Sequence, residues 1–552
     1  QVVQFAKRKL FFFFSKEFSF FDWLVDLNFK FKMKIFILLL TCQLLTYGNA
    51  LKVLYLVPFS APSHWFWMKH FAEELLKRGH EVTAITNYKR PAIHPNYTEI
   101  IINPPYNFSD FPPSDFFGMK FENILNNMYL TWDIGLRSTE HAFRDKSVTE
   151  FIKRTDLHYD VIVLEQFFHD SWLPFAAKFD APVVTIATLG HADYFDHSMG
   201  FITPWSYVPH HVLTFNDRMT FFERCVNLFW GLTDAFLRRY YYMVKMQEMA
   251  DHYFKHAFND SVPSILELEN NISFRIVNAH QSMSYARPKM TPGLTYIAGI
   301  HIRPVKPLPT DVQEFLDKSK NGVIYFSFGS CIRGADLPQD KLNAFIETFR
   351  LLKQNVLWKF ENETLPDIPS NVMIRKWFPQ NDILAHKNVV LFLGHGGIFG
   401  TQEGVHWAVP MVFIPIYSDQ FRNAKRCVDA GFAEILHFHD VNVSNLLKTL
   451  NTVLTDKHYA ERAQIVSAQF RNNLIDPMDE AMYFIEFIGR HKKNFPIYKP
   501  NGPNVPWYIY LHLDILSAVV IIFYLILSVI KYSCRIIWRK FNSEQGAKLK
   551  SQ

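Results

Sequence analysis

The sequence predicts an α/β protein of two halves that face each other across a cleft, followed by one membrane-spanning helix. Three observations predict it. Short apolar runs of strand length alternate with helical stretches, the pattern of a mostly parallel sheet. A proline-rich join, Arg303-Pro304-Val305-Lys306-Pro307-Leu308-Pro309, divides that alternation into two series. A charge-free run, Ile515–Ile530, lies near the C-terminus. At 552 residues the chain also exceeds what one hydrophobic core serves, so two or three domains are expected.

The elements follow in order. Residues 1–32 include Phe11–Phe14 and have no usable periodicity; they read as a translated leader or a gene-model artefact, with Met33 as the start. Residues 33–50 read as a secretory signal peptide: Lys34 is the positive start, Ile35–Leu40 the apolar centre and Gly48-Asn49-Ala50 the cleavage site. The N-terminal half, 51–302, opens with a strand at Leu51–Pro58, a helix from about Trp65 to Lys77 stopped by Gly79, and a strand at Val82–Thr86. Asp160–Leu164 and Val183–Ala187 are further buried strands. Met219–Phe258 combines helix formers with many aromatics, and its wide apolar surface is expected to pack on the sheet with a peripheral membrane contribution.

The C-terminal half, 303–506, carries strands at Val323–Ser327, Val356–Lys359 and Val372–Ile374 and a helix over Asp340–Leu352. Trp507–Ile530 is long enough to cross a bilayer, with His512 and Asp514 near its start, where polar groups cost less than at the centre. Lys531, Arg535, Arg539 and Lys540 follow, so the tail 531–552 is expected in the cytosol and the body in the lumen. Lys548 and Lys550 form a K-x-K-x-x ending that resembles the di-lysine retrieval signal of endoplasmic reticulum membrane proteins.

The net charge of +6 is uneven: the leader holds +3 and the tail from Lys531 holds +5, which leaves about −2 for everything between. The body therefore offers no electrostatic case for nucleic acid. Cys225, Cys331 and Cys427, the cysteines of the body, fit no zinc or redox spacing. Glycosylation sequons stand at Asn96, Asn107, Asn259, Asn271, Asn362 and Asn442.

Lys376–Gln420 is the densest stretch. The apolar strand Val389–Leu393 runs into Gly394, His395, Gly396 and Gly397; a helix starts near Gly400; a second strand, Val412–Pro415, ends at Ser418, Asp419 and Gln420. A strand, a glycine turn and a helix start leave backbone N–H groups facing outward, where a diphosphate can sit. Ser330, after Phe328-Gly329, is a second phosphate-side candidate. The loop Pro58–His64 places His64 at the cleft end of the first strand, and imidazole can take a proton near neutral pH.

This block resembles the UDP-glycosyltransferases, nucleotide-sugar enzymes of the GT-B fold. The matching positions are Trp377, Pro379, Gln380, His395, Gly396, Gly397, Glu403 eight residues past the histidine, Asp419 and Gln420. The resemblance runs from Leu51 to Ser533, and Thr401-Gln402-Glu403 looks most like the insect branch. It implies two Rossmann-like domains, with the UDP-sugar held by the C-terminal one and the acceptor by the N-terminal one. It also implies roles. Trp377 stacks on uracil and Gln380 bonds the base edge. Glu403 accepts from ribose hydroxyls, and His395 with the N–H groups near Gly397, Gly400 and Thr401 meets the diphosphate. Asp419 and Gln420 bind the transferred sugar. Phe399 and Gly400 stand where relatives have Asn or Ser, which a backbone role tolerates. His64 matches the catalytic base, and a carboxylate should orient it: Glu165, with Asp170 as the backup.

The expected reaction is inverting transfer of a hexose, glucose first, from the UDP-sugar co-substrate to small lipophilic hydroxyl compounds, with no bound cofactor or metal. The alternatives are a glucuronosyltransferase and a silent membrane binding protein of the same fold. Homo-oligomerisation stays open. The chain departs from the family after His491, where Lys492–Tyr498 replaces the usual pattern, and at Phe484, where a tryptophan is common.

Overall fold

The computed structural model describes residues 50–90, 92–106, 117, 123–284, 292–330, 332–362, 365–492, 502 and 505–550. The leader, the signal peptide up to residue 49, Asn107, Cys331 and the segment 493–498 lie outside them.

The N-terminal sheet contains β1 (Lys52–Val57), β2 (Glu81–Thr86), β3 (Tyr97–Ile101), β4 (Val161–Glu165), β5 (Val183–Ala187), β6 (Phe274–Asn278) and β7 (Leu294–Ile297). Their spatial order is β3-β2-β1-β4-β5-β6-β7, with every pairing parallel. The C-terminal sheet contains β8 (Val323–Ser327), β9 (Asn355–Lys359), β10 (Val372–Arg375), β11 (Val389–Gly394), β12 (Met411–Phe413) and β13 (Ala433–Ile435), in the order β10-β9-β8-β11-β12-β13, again all parallel. Central strands are buried on both faces and read as unbroken apolar runs because helices cover both sides. On one face of the N-terminal sheet Leu54, Leu56 and Ile162 pack with Trp132, Phe143 and Trp172; on the other, Val53, Tyr55 and Val163 pack with Trp67, Phe71 and Leu75. The C-terminal sheet is sandwiched in the same way.

Both sheets reverse strand order beside their first strand, between β1 and β4 and between β8 and β11. In open α/β sheets such a switch point leaves a crevice at the carboxyl ends of the strands, where ligands bind.

The halves are tied together. The helix Pro477–His491 leaves the C-terminal half and packs Ala481, Met482, Ile485 and Ile488 against β1 and the helix Pro62–Lys77. Asp476 caps it, accepting from the N–H groups of Met478 and Asp479, and Phe484 stacks on Phe274. Arg422 reaches from the C-terminal half to the carbonyls of Leu189, His191 and His211 at 2.7–3.2 Å. Gln402 donates to Asn278 at 2.7 Å and accepts from the N–H of Gly299 at 3.0 Å.

Several expected boundaries move. The first helix starts at Pro62, because proline at the first helical position has the required φ and no N–H to lose, so His64 lies in its first turn rather than in the loop. The helix expected near Gly400 starts at Ile398, with Gly397 as its N-cap. The last apolar stretch is broken: Trp507–Tyr510 is a separate turn, His512 has φ 55°, and a continuous helix runs Leu513–Lys550. Its part Leu513–Lys540 is long and apolar enough to cross a membrane, with an 18-residue stretch of mean hydropathy 2.7 that is not buried against the body.

Candidate active site

A cavity of about 380 Å³ lies between the two switch points, and both halves line it. From the C-terminal half come Ser330, Trp377, Gln380, His395, Gly396, Gly397, Gly400, Thr401, Glu403, Asp419 and Gln420; from the N-terminal half come His64 and its apolar neighbours. Every expected donor-side residue therefore faces one space. Glu165 and Asp170 lie behind that wall.

The carboxyl end of β11 explains the glycines. Gly396 has φ +85°, and a Cβ there would come within 2.8 Å of the Gln420 carbonyl. Gly329, at φ +78° after β8, would meet the His395 ring at 2.6 Å, and a Cβ on Gly397 would also strike that ring. His395 is thus seated between two glycines. Burial, helped by nearby Lys359, lowers its pKa to about 4, so it is neutral near pH 7 and presents an N–H rather than a charge. The helix Ile398–His406 has no side-chain cap. Its first-turn N–H groups, at Ile398, Phe399 and Gly400, have no intrahelical acceptor by position. Thr401 differs from expectation: its N–H and hydroxyl both go to the Gly397 carbonyl, at 3.0 and 2.9 Å.

Behind the turn, the Gln380 amide donates to Glu403, whose pKa burial raises to about 7. Trp377 stays 58 % exposed and stacks against Phe66 of the opposite half, ring centroids 5.9 Å apart. Asp419 lies beside Arg422 and bonds Asn423 at 2.5 Å; burial raises its pKa. The Gln420 side chain is partly engaged by its own loop. Its oxygen accepts from the N–H groups of Ile416 and Tyr417, at 2.9 and 3.2 Å, so it shapes the loop instead of offering that oxygen to a sugar.

On the N-terminal side three neighbouring strands converge. His64 follows β1, Glu165 ends β4 and Thr188 follows β5. His64 Nδ1 lies 2.5 Å from Glu165 Oε1, and Thr188 Oγ1 lies 3.0 Å from that nitrogen and 3.3 Å from that oxygen. The carboxylate oxygen accepts, so Nδ1 carries the proton and Nε2 is the nitrogen left for the cleft. Glu165 is fully buried, and its Oε2 has no hydrogen-bond partner among the described residues. Phe59 and Phe167 hold the ring edge-on at 4.7 and 4.9 Å. Asp170 sits elsewhere: it accepts from Tyr242 at 2.9 Å and pairs with Arg238, which also forks onto Glu269. It serves that buried network and not His64.

Sequence reasoning missed Thr188, Asn127 and the two tethers Gln402 and Arg422. Thr188 had a signal, since it follows a recognised strand at the carboxyl edge. Asn127, which exchanges bonds with the backbone of Ser418 at 3.1 and 3.5 Å, had none.

Residues 52–548 match the family described as "UDP-glucoronosyl and UDP-glucosyl transferase". The chain belongs to that family. Among its relatives, UDP-glucosyltransferase 2 of Dactylopius coccus is 33% identical over 94% of this chain and 99% of its own length. UDP-glucuronosyltransferase 2B33 of Macaca mulatta is 29% identical over 89% and 94%. The solved structure of CalG4, the calicheamicin glycosyltransferase, covers 80% of this chain and 99% of its own with a TM-score of 0.54 at 15% identity, a likeness of fold. The protein is accordingly a UDP-glycosyltransferase of the glucosyl and glucuronosyl type, and its fold is GT-B.

Proposed function

We propose that the enzyme transfers glucose from UDP-glucose, with inversion, to a hydroxyl of a small lipophilic acceptor. The observation that carries this reading is one cavity lined both by His64, which Glu165 holds from behind, and by the glycine turn after β11. His64 Nε2 takes the acceptor's hydroxyl proton. The oxygen forms a bond to the anomeric carbon as the bond from that carbon to UDP breaks. UDP leaves with the electron pair toward the N–H groups of Ile398–Gly400 and the neutral His395. Glu165 holds the imidazole and stabilises the imidazolium that forms. Trp377 and Gln380 meet the base and Glu403 the ribose, while Asp419 takes sugar hydroxyls.

The cations that line the cavity from the C-terminal half, Arg303 and Lys359, are already paired with Asp382 and Glu361, which supports glucose over glucuronate; Lys69, which lines it from the N-terminal half, stands over the Phe66 ring. Phe59, Ile134, Phe167 and Leu189 give the acceptor side an apolar wall. The anchor reading places the apolar part of the C-terminal helix, up to Ile530, across the endoplasmic reticulum membrane, with the basic residues from Lys531 on the cytosolic side and the body in the lumen, where Asn259, Asn271, Asn362 and Asn442 are exposed sequons.

Full-length enzyme incubated with separate UDP-sugars and a panel of phenols tests the reaction. Glucoside from UDP-glucose is expected. Product from UDP-glucuronate alone would overturn the donor, and UDP binding without transfer to any acceptor would favour a silent binding protein. Protease treatment of sealed microsomes tests the topology: a tag after Gln552 should be lost while the body survives.

A further inference from the structure

The helix Phe221–Leu237 is built inside out. An ordinary surface helix turns its apolar stripe to the core. Here the buried face is Asn227, Gly231 and Asp234, continued by Arg238. Asn227 accepts from the N–H of His210 at 2.7 Å and donates to the carbonyls of Trp205 and Val208 at 2.8 Å. Asp234 lies 3.4 Å from His210, and Gly231 lets Trp205 press against the backbone. The outward face is Phe222, Val226, Phe229, Leu232, Phe236 and Tyr240, exposed by 40–79%. Only Glu223 and Asp234 are acidic in this helix; Glu223 caps Thr220 and Asp234 is buried. Exposed Arg224, Arg239 and Lys245 flank the stripe. A contiguous apolar surface of this kind marks an interaction site.

We infer that this face is seated in the lipid interface, with its aromatic side chains among the acyl chains and headgroups and its arginines and lysine at the phosphates. Phenylalanine and tyrosine flanked by basic residues is the composition of a helix that lies in the interface plane. The chain supplies the membrane itself through Leu513–Lys540. Gly502, which precedes that helix, lies against Gly200, five residues from the Trp205 that supports Gly231. The inference rests on the anchored reading above and adds a second, in-plane contact. Asp234 also borders a hollow of about 70 Å³ that shares Thr131, Phe167, Leu189, Ser418 and Asp419 with the main cavity, so the seated helix roofs the acceptor side.

Cys225 lies exposed on this helix and provides the probe. The full chain carrying Cys534→Ser is labelled at Cys225 with bimane and placed in nanodiscs of phosphatidylcholine and phosphatidylserine, with plain or brominated acyl chains. Cys225→Ser should remove the signal. Emission is expected to fall at least about twofold in brominated discs. A label at Glu461→Cys, in the Cys225→Ser, Cys534→Ser background, should be unaffected. Equal emission at Cys225 in both discs, with the chain captured, would overturn the seated face and leave the anchor standing. Crosslinking of two copies through Cys225 with no quenching would assign the face to a second copy. Failure of the discs to capture the chain would remove the anchor and this inference with it.

Discussion

The C-terminal half lines the cleft largely from one stretch, residues 376–420, and much of what it presents is backbone held open by glycine. The N-terminal half lines it with side chains gathered from residues 59 to 189, and its key pair is 101 residues apart in sequence. The two share a sheet topology and a crevice at the strand switch, so architecture does not separate them. What differs is the demand. A nucleotide diphosphate is the same in every turnover and can be met by fixed N–H groups. An acceptor is met by shape and apolar contact, which many side chains supply.

Substitutions should therefore split cleanly, with N-terminal changes moving the rate and C-terminal changes moving UDP affinity. The largest effect is expected for His64→Ala: transfer falls about 10²–10⁴-fold, the usual general-base contribution, while UDP affinity by calorimetry stays level. A parallel loss of UDP binding would erase the contrast between the halves. Glu165→Gln should lower the rate by about 10²-fold, at the small end of that range. Asp170→Asn, which touches only the Arg238 network, should lower the melting temperature and spare the rate of the folded enzyme. Reversal of these two outcomes would move the orienting role to Asp170.

On the other side, Gly397→Ala drives a methyl into the His395 ring and should weaken UDP by about tenfold or more, near 1.4 kcal/mol. UDP affinity should also depend on pH through Glu403. Ribose hydroxyls donate to the ionised carboxylate, so binding lowers its pKa from about 7. Affinity is then full above that value and falls below it, approaching about tenfold per pH unit. His395, at about 4, stays neutral throughout that window. Glu403→Gln should flatten the profile, and a slope that survives the substitution would place the titrating group elsewhere. The smallest effect belongs to the acceptor. Each added methylene on a phenol series should raise kcat/KM by up to about fourfold, from about 0.8 kcal/mol per buried CH₂. A flat series at saturating UDP-glucose would leave a polar acceptor.

The same contrast governs what the sequence discloses. The donor block is legible because its parts lie at fixed spacings along one β-α-β stretch, and Gly396 and Gly397 are glycine for reasons a turn imposes locally. His64 is legible as the residue after the first strand, although proline at position 62 puts it inside the helix. Strands β3, β6, β7 and β13 went unread, being only three to five residues long and flanked by irregular segments. The use of the Gln420 oxygen within its own loop could not be read in advance, because that loop closes only in three dimensions. Thr188, Asn127 and Arg422 act between elements far apart in the chain, and no local pattern announces such contacts. The apolar outer face of Phe221–Leu237 was legible as an aromatic-rich surface, but its polar underside depends on His210, Trp205 and Glu269.

The Pro477–His491 helix carries a mechanical consequence. The chain passes from the first half to the second near residue 303 and returns near residue 476, so the halves are joined by two adjacent crossings, like a door on a pair of pins. Such a joint swings about one axis and resists twisting. The returning helix is bolted to β1, and Gly502, ahead of the C-terminal helix, lies against Gly200 of the same half. On the proposed anchoring, the load path from the bilayer ends in the half that carries His64, and the half that carries the glycine turn hangs from it as the outer leaf. A swing of that leaf for donor exchange would have to release the Arg422 and Asn127 bonds that cross the cleft.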